Sequence, residues 1–148
     1  MEKYDLIIVG AGPAGIFTAL EMLRKGSKKK VLIVEKGVSV EKRACPKAKT
    51  KVCMNCKPYC HITTGFSGAG AFSDGKLTTR IGDELCDFVT EVFLQHGAPA
   101  EIAWKQKPHV GTDLLRGVIT SIRREIEALG GEVHFNTALT GFVQKNGR

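Results

Sequence analysis

Apolar positions along the chain alternate between short runs and helical stripes, and their order predicts an α/β fold. Residues 4–9 and 31–34 are short, β-branched runs of the kind that forms parallel strands buried on both faces. Between them, residues 16–25 carry apolar side chains at helical spacing and are followed by Gly26, a helix stop. A strand, a helix and a strand in about 30 residues have the size of a βαβ unit.

The second half of the chain predicts two longer amphipathic helices and two further strands. The helices are expected over 83–96 and 112–129, with Thr112 as the cap of the second, and the strands over 132–136 and 139–144. The predicted buried stripes are Leu85, Phe88, Val89, Val92 and Phe93 in the first helix, and Leu115, Val118, Ile119, Ile122, Ile126 and Leu129 in the second. Together these elements predict three layers built around a central parallel sheet.

A glycine pattern lies directly after the first strand. Gly10–Gly15 has the form G-x-G-x-x-G, opens the first helix, and is followed 20 residues later by Glu35 at the end of the second strand. This context predicts a dinucleotide site: Gly10 allows a tight turn, Gly12 leaves room for a pyrophosphate, and Gly15 lets the helix pack on the strand. Glu35 is expected to accept hydrogen bonds from a ribose.

Two segments resemble known flavoproteins. Residues 5–15, followed by Glu35–Gly37, are similar to the N-terminus of FAD-binding proteins of the glutathione-reductase-like class. Residues 65–77 resemble a signature of a bacterial family of largely uncharacterised FAD-dependent dehydrogenases, which Gly111–Asp113 also fits. The resemblance spans essentially the whole chain and implies FAD and redox chemistry, without a known substrate.

Segment 65–77 also makes physical sense as a second cofactor loop. Its residues 65–75 include four glycines in eleven positions, which lets backbone N–H groups approach an anion or a flat ring. A mobile glycine loop without function is the alternative. The residues expected at the dinucleotide end are Gly10, Gly12, Pro13, Ala14, Gly15, Glu35 and Lys36. Those expected near the flavin are Gly68, Ala69, Gly70, Ser73 and Lys76.

Residues 36–82 show no sustained period, and their composition favours function over mere connection. The net charge is +7, and residues 42–57 contain six basic and no acidic side chains. Four thiols lie in the same stretch, namely Cys45, Cys53, Cys56 and Cys60, with His61 as a substitute metal ligand. Zinc, an iron–sulfur cluster, a redox dithiol formed by Cys53 and Cys56, and four ordinary reduced thiols are all open alternatives.

The sequence therefore predicts an FAD-dependent oxidoreductase module, with a partial FAD-binding domain over 1–148 and a cysteine-rich basic insertion at about 41–64. The alternative is a non-catalytic binding module stabilised by zinc or an iron–sulfur cluster. No catalytic acid or base, substrate or electron partner is identified, and use of NAD(P)H stays undecided because one dinucleotide pattern is present.

The expected cellular location and the expected completeness of the domain rest on separate sequence features. We expect a cytoplasmic protein without a membrane segment, and nucleic acid is not an expected partner because no recognition helix or RNA-binding signature accompanies the basic stretch. Asn146–Gly147 after a predicted strand is typical of a hairpin. We therefore expect the Rossmann-like fold to be incomplete at the C-terminus, with the remainder of a larger enzyme missing and FAD bound only weakly.

Overall fold

Three parallel strands form the centre of the fold in the computed structural model, which describes residues 3–73, 75–77, 79, 82–105 and 109–144. The strands are β1 (Leu6–Val9), β2 (Val31–Val34) and β3 (Glu132–His134), and their order in the sheet is β1-β2-β3. Leu6 pairs with Val31 in the first ladder, and Leu32 pairs with Glu132 in the second. The central parallel sheet of the predicted α/β fold is thus confirmed.

Among the described residues, four α-helices accompany the sheet: α1 (Pro13–Arg24), α2 (Lys47–Thr50), α3 (Glu84–Gln95) and α4 (Thr112–Ala128). Short 3₁₀ helices lie at Val40–Lys42, Gly68–Phe72 and Ala100–Ala103. The α1 helix begins earlier than predicted, because Pro13 suits the first helical position. Gly111 caps α4 rather than Thr112, which is the first helical residue, so that prediction is wrong.

The core lies on one face of the sheet. Val31 and Ile33 on β2 are fully buried there, beneath α1 and α4. On the opposite face of β1, Ile7 is 52% exposed and Val9 is 58% exposed. Burial on both faces therefore holds for β2 but not for β1, and the described residues form two layers rather than three, because the helices pack against one face only.

Close contacts join α1 to α4. A Cβ atom at Gly131, three residues beyond the end of α4, would lie 2.8 Å from side-chain atoms of both Leu23 and Ile126, so this position favours glycine. Farther along the interface, Arg24 makes two 2.7 Å hydrogen bonds with the Glu125 carboxylate. His96, at the end of α3, contacts the same carboxylate at 2.7 Å. These contacts set the three helices on one side of the sheet.

Three predicted features differ in the structure. Leu85 is 70% exposed, whereas Phe88, about one turn later on α3, packs against α1, where the Phe17 and Phe88 rings lie 6.1 Å apart. Leu129 is 42% exposed, just beyond the end of α4. Residues 139–144 form no strand within the described part of the chain, where they have no neighbouring strand to pair with and Phe142 is 91% exposed. No helix in the described ranges is long and apolar enough to span a membrane.

Candidate functional site

The first glycine turn lies at the carboxyl end of β1. Gly10 has φ +98°, and its N–H donates to the Val34 carbonyl at 2.8 Å, which ties the turn to β2. A Cβ at Gly15 would lie 2.2 Å from the Gly10 carbonyl oxygen, so glycine is required there. Gly12 precedes α1 in an extended conformation without a side-chain cap, and nothing lies within 4 Å of its Cβ position. The start of α1 is therefore open to a ligand.

Glu35 is a buried hub. The residue is 6% exposed, and its carboxylate accepts hydrogen bonds from the N–H groups of Ala11 at 2.9 Å, Gly37 at 2.8 Å and Gly65 at 3.1 Å. A carboxylate has about four acceptor positions, so about one is left for a ligand. The sequence predicts a ribose acceptor at this position and misses the structural role, which joins the first glycine turn to the second glycine-rich segment.

The two glycine-rich segments touch. The Ser67 N–H donates to the Ala11 carbonyl at 2.7 Å, and Ser67 is 3% exposed. A Cβ at Gly68 would lie 3.6 Å from the Gly12 Cα atom. Residues predicted at opposite ends of one cofactor are thus brought to a shared surface at the start of α1.

The remainder of the second segment has mixed surroundings. Ala69 is exposed, whereas the Ser73 hydroxyl donates to the Gly70 carbonyl at 2.8 Å and accepts from the Gly75 N–H at 3.2 Å. Lys76 is exposed, and its backbone pairs with that of His109 in an isolated antiparallel bridge. The side chain of Ser73 is therefore engaged in shaping its own loop.

Two cavities border these predicted residues. An apolar cavity of about 130 Å³ is lined by Pro13, Ile16, Phe17, Gly70, Ser73 and Lys76, among others. A second, of about 250 Å³, opens at the carboxyl ends of β1 and β2 and is lined by Gly10, Glu35, Lys36 and Thr137, among others. Both are below the usual 300–1,000 Å³ of a ligand pocket, so a large ligand would also lie along the open surface between them.

Lys36 is exposed, and its ammonium lies 5.0 Å from the centre of the Tyr59 ring.

Arg43 is the main site residue that sequence reasoning misses. It is 1% exposed, and burial lowers the pKa of its guanidinium while the negative charge of Glu35 opposes that change. Its side chain donates to four backbone carbonyls, those of His61 (2.8 Å), Ile62 (2.6 Å), Phe66 (2.8 Å) and Gly68 (2.6 Å). One sequence signal exists: Arg43 is the single arginine among the six basic residues of 42–57, and arginine suits several fixed acceptors where lysine does not.

The four clustered cysteines face one cavity of about 600 Å³, together with His61. All four are free thiols, and within the described ranges no three His, Cys, Asp or Glu side chains are close enough to share a metal ion. The backbone N–H groups of Ile62 and Thr63 lower the pKa of the Cys60 thiol. The predicted metal ligands are thus gathered around a common space, but not into a coordination shell.

Comparison with known proteins bears on the first glycine turn. Residues 5–44 match a family described as an FAD binding domain. The matched segment contains β1, the Gly10–Gly15 turn, α1, β2 and Glu35, and it is well under half of the chain. The match supports FAD as the ligand expected there.

Individual proteins similar to this chain include a sequence relative and a solved structure. A curated protein of Clostridium beijerinckii, itself described as uncharacterised, is 48% identical over 142 residues, which is 96% of this chain and 26% of that protein. The chain therefore spans about a quarter of the length of that relative. The structure of L-amino acid deaminase from Proteus myxofaciens in complex with anthranilate aligns with 99% of this chain and 41% of its own, at 17% identity and a TM-score of 0.42. A structural similarity this low indicates nothing about activity.

Proposed function

We propose that this chain is the FAD-binding part of an FAD-dependent oxidoreductase. The observation that carries the proposal is the meeting of two glycine-rich segments at the carboxyl ends of β1 and β2, over the open start of α1. In open α/β sheets, ligands bind at the carboxyl ends of the strands. The family match over residues 5–44 independently supports FAD as that ligand.

The start of α1 is suited to the pyrophosphate. The first N–H groups of an α-helix have no partner within the helix, and the helix dipole favours an anion at this end. Here no side chain caps α1, and Gly12 leaves its surroundings free. The expected pyrophosphate contacts are the backbone groups of Gly12, Ala14 and Gly15.

The cavity beside Glu35 is suited to the ribose end. With three acceptor positions engaged by backbone N–H groups, the carboxylate retains about one for a ribose hydroxyl. Its negative charge disfavours a 2′-phosphate on the same sugar. Lys36 lies at the rim of this cavity, where its cation can approach a phosphate.

The segment around Gly70, Ser73 and Lys76 borders the apolar cavity and is suited to the edge of the flavin. FAD, when bound, supplies a two-electron acceptor or donor for a substrate. The chain's own contribution at this end is to orient the ring through backbone groups and to exclude water with Pro13 and Phe17.

Titration with FAD tests the proposal. The purified chain should quench FAD fluorescence on binding, and Gly12→Val should weaken that binding at least roughly tenfold because the valine occupies the space left for the pyrophosphate. Since Gly12 is open on the protein side, the variant should unfold at the wild-type temperature. Gly141→Ala, at another open glycine, is the matched control and should bind FAD as the wild type does. A chain that binds no FAD, or a Gly12→Val variant that binds it normally, would overturn the proposal.

Redox activity separates the oxidoreductase from a non-catalytic binding module. The FAD-loaded protein, kept anaerobic, should lose its visible flavin absorbance with at least one member of a panel of nicotinamide nucleotides, organic acids and amines. Bound FAD that no member of a broad panel reduces would favour the non-catalytic module. A protein that stays colourless in the presence of FAD would favour it more strongly.

A further inference from the structure

We propose that the cysteine-rich segment binds a thiophilic metal centre through Cys45, Cys53, Cys56 and Cys60, and that the segment closes around the metal as it binds. The inference does not depend on FAD. It concerns the cavity of about 600 Å³ that the four thiols share, which the proposed function leaves without a role.

The backbone brings the four thiols to one cavity although they are spread over 16 residues. Cys45 directly precedes Pro46 and the short helix α2, and Lys51 then turns the chain back in a left-handed conformation at φ 60°. A second left-handed residue, Asn55 at φ 45°, lies between Cys53 and Cys56. This turn suits the Cys-x2-Cys spacing, a common chelating step in thiolate metal sites.

The donor set selects the class of metal. Sulfur is supplied by the four cysteines and by the Met54 thioether, and no carboxylate lines the cavity. Soft sulfur ligands favour Zn²⁺, Cu⁺ or iron–sulfur clusters, whereas Mg²⁺ and Ca²⁺ require oxygen ligands. His61 is a poor ligand in this position, because its Nδ1 accepts the Ala44 N–H at 3.2 Å and its proton must then reside on Nε2. The expected ligand set is therefore the four thiolates.

Electrostatics favour a tetrathiolate centre over a bare cation. Residues 42–57 carry six basic side chains and no acid, which would repel an isolated divalent ion. Four thiolates around a divalent ion leave two negative charges, which the surrounding lysines, including Lys47 and Lys57 in the cavity wall, would stabilise. A cubane iron–sulfur cluster with four thiolate ligands also carries a net negative charge, which the same lysines would stabilise.

Closure is required, because no three of these side chains are now close enough to share an ion. The segment that would move is loosely packed: Val52 is 64% exposed, Met54 is 60% exposed, and residues 51–60 contain no helix or strand. The C-terminal end of the segment is fixed, because Arg43 donates hydrogen bonds to the carbonyls of His61 and Ile62 immediately after Cys60. Ligation can thus order the outer loop at little cost in existing contacts, as metal binding commonly does.

Titration of the fully reduced protein with Co²⁺, in the absence of FAD, tests the inference. We expect one Co²⁺ per chain with thiolate-to-metal charge-transfer absorption, displaced by Zn²⁺. Cys53→Ser and Cys56→Ser should each weaken binding by roughly 100-fold or more. Cys86→Ser is the matched control, because Cys86 lies on α3 away from the cavity, and it should bind as the wild type does. Amide hydrogen exchange over 51–60 should slow when the metal binds.

Metal analysis of the protein as purified distinguishes the two kinds of centre. Zinc supports a mononuclear site, and iron with acid-labile sulfide supports a cluster on the same four thiolates. Absence of stoichiometric Co²⁺ binding, or binding that survives both Cys53→Ser and Cys56→Ser, would overturn the inference. A reversible disulfide between Cys53 and Cys56 in a metal-free protein would also overturn it, in favour of a redox dithiol. Because FAD is absent from these measurements, their failure leaves the proposed function untouched.

Discussion

The Gly10–Gly15 turn and the cysteine-rich segment differ in how they are held, although each depends on one buried charged side chain. The turn is tied by backbone hydrogen bonds and by Glu35, whose carboxylate collects N–H groups. The cysteine-rich segment is anchored by Arg43, whose guanidinium collects carbonyl groups. In the first region Gly15 is sterically required and Gly10 has a positive φ, whereas in the second region the thiols lie on a loosely packed loop that is held at one end by Arg43.

The Glu35 and Arg43 side chains hydrogen-bond to the same short stretch of backbone. Gly65 donates its N–H to Glu35, while Phe66 and Gly68 present their carbonyls to Arg43. The second glycine-rich segment is therefore held by two buried charges, because Glu35 accepts from one of its N–H groups and Arg43 donates to two of its carbonyls. A glycine-rich loop can thus be held in place, because its backbone polar groups are matched to two buried charges.

The largest expected loss of stability comes from a substitution in the Gly10–Gly15 turn. Gly15→Ala should destabilise the protein by about 3 kcal/mol or more, because the added Cβ would lie 2.2 Å from the Gly10 carbonyl oxygen. Urea denaturation measures the change, and Gly12→Ala is the control, since its Cβ meets nothing within 4 Å. Equal stability of Gly15→Ala and the wild type would show that the turn is far more pliable than its geometry implies.

Loss of the second anchor should come next. Arg43→Met should cost about 2 kcal/mol, because four carbonyls lose their donor while loop carbonyls near the surface can recover water. Arg43→Lys should recover only part of this, since one ammonium cannot reproduce the guanidinium fork. Thermal unfolding measures both variants. Full recovery by lysine would mean that charge alone, rather than the four-carbonyl geometry, holds the loop.

Acid should weaken the helical layer that supports the first region. The hydrogen bonds from Arg24 hold the pKa of Glu125 below its ordinary value near 4.5. This carboxylate therefore stabilises the fold above about pH 4.5, and its contribution, about 1 kcal/mol, is lost as the pH falls through the lower folded-state pKa. Unfolding temperature measured against pH should fall in that window for the wild type and less for Glu125→Gln.

A matched control uses an exposed pair. Glu101 pairs with exposed Lys105 rather than with Arg24, so Glu101→Gln removes one carboxylate without touching the Arg24–Glu125 contact. Residues 43–73 contain no acid of their own, so no carboxylate within that segment should contribute to the profile. Identical profiles for the wild type and Glu125→Gln would remove Glu125 as the cause.

The smallest expected effect comes from a substitution in α4, which should change stability without changing either the Gly10–Gly15 turn or the cysteine-rich segment. Gly117 lies exposed within α4 with open space around it, so Gly117→Ala should stabilise the fold by about 0.5–1 kcal/mol through helix propensity. FAD and Co²⁺ binding should stay at wild-type levels. A change in either affinity would reveal coupling between α4 and the sites that the described contacts do not account for.

Much of the fold follows from local patterns. The order of β1, α1 and β2, the buried stripe of α4 from Leu115 to Ile126, and the glycines of the first turn are all predicted, because each depends on spacing within a few residues. The exposed face of β1, the exposure of Leu85, and the missing strand at 139–144 are not predicted. Those features depend on which element lies opposite, and no local pattern specifies that.

The sequence by itself determined the strand–turn–helix–strand order, the requirement for glycine at position 15, and the presence of four thiols in one short basic stretch. Only the tertiary structure decided that Glu35 reaches the N–H of Gly65, 30 residues away, that Arg43 is buried among carbonyls, and that the thiols share one cavity. The physical reason is range: steric demands and periodicity act between neighbours, whereas a buried charge must find partners wherever the folded chain brings unpaired backbone groups.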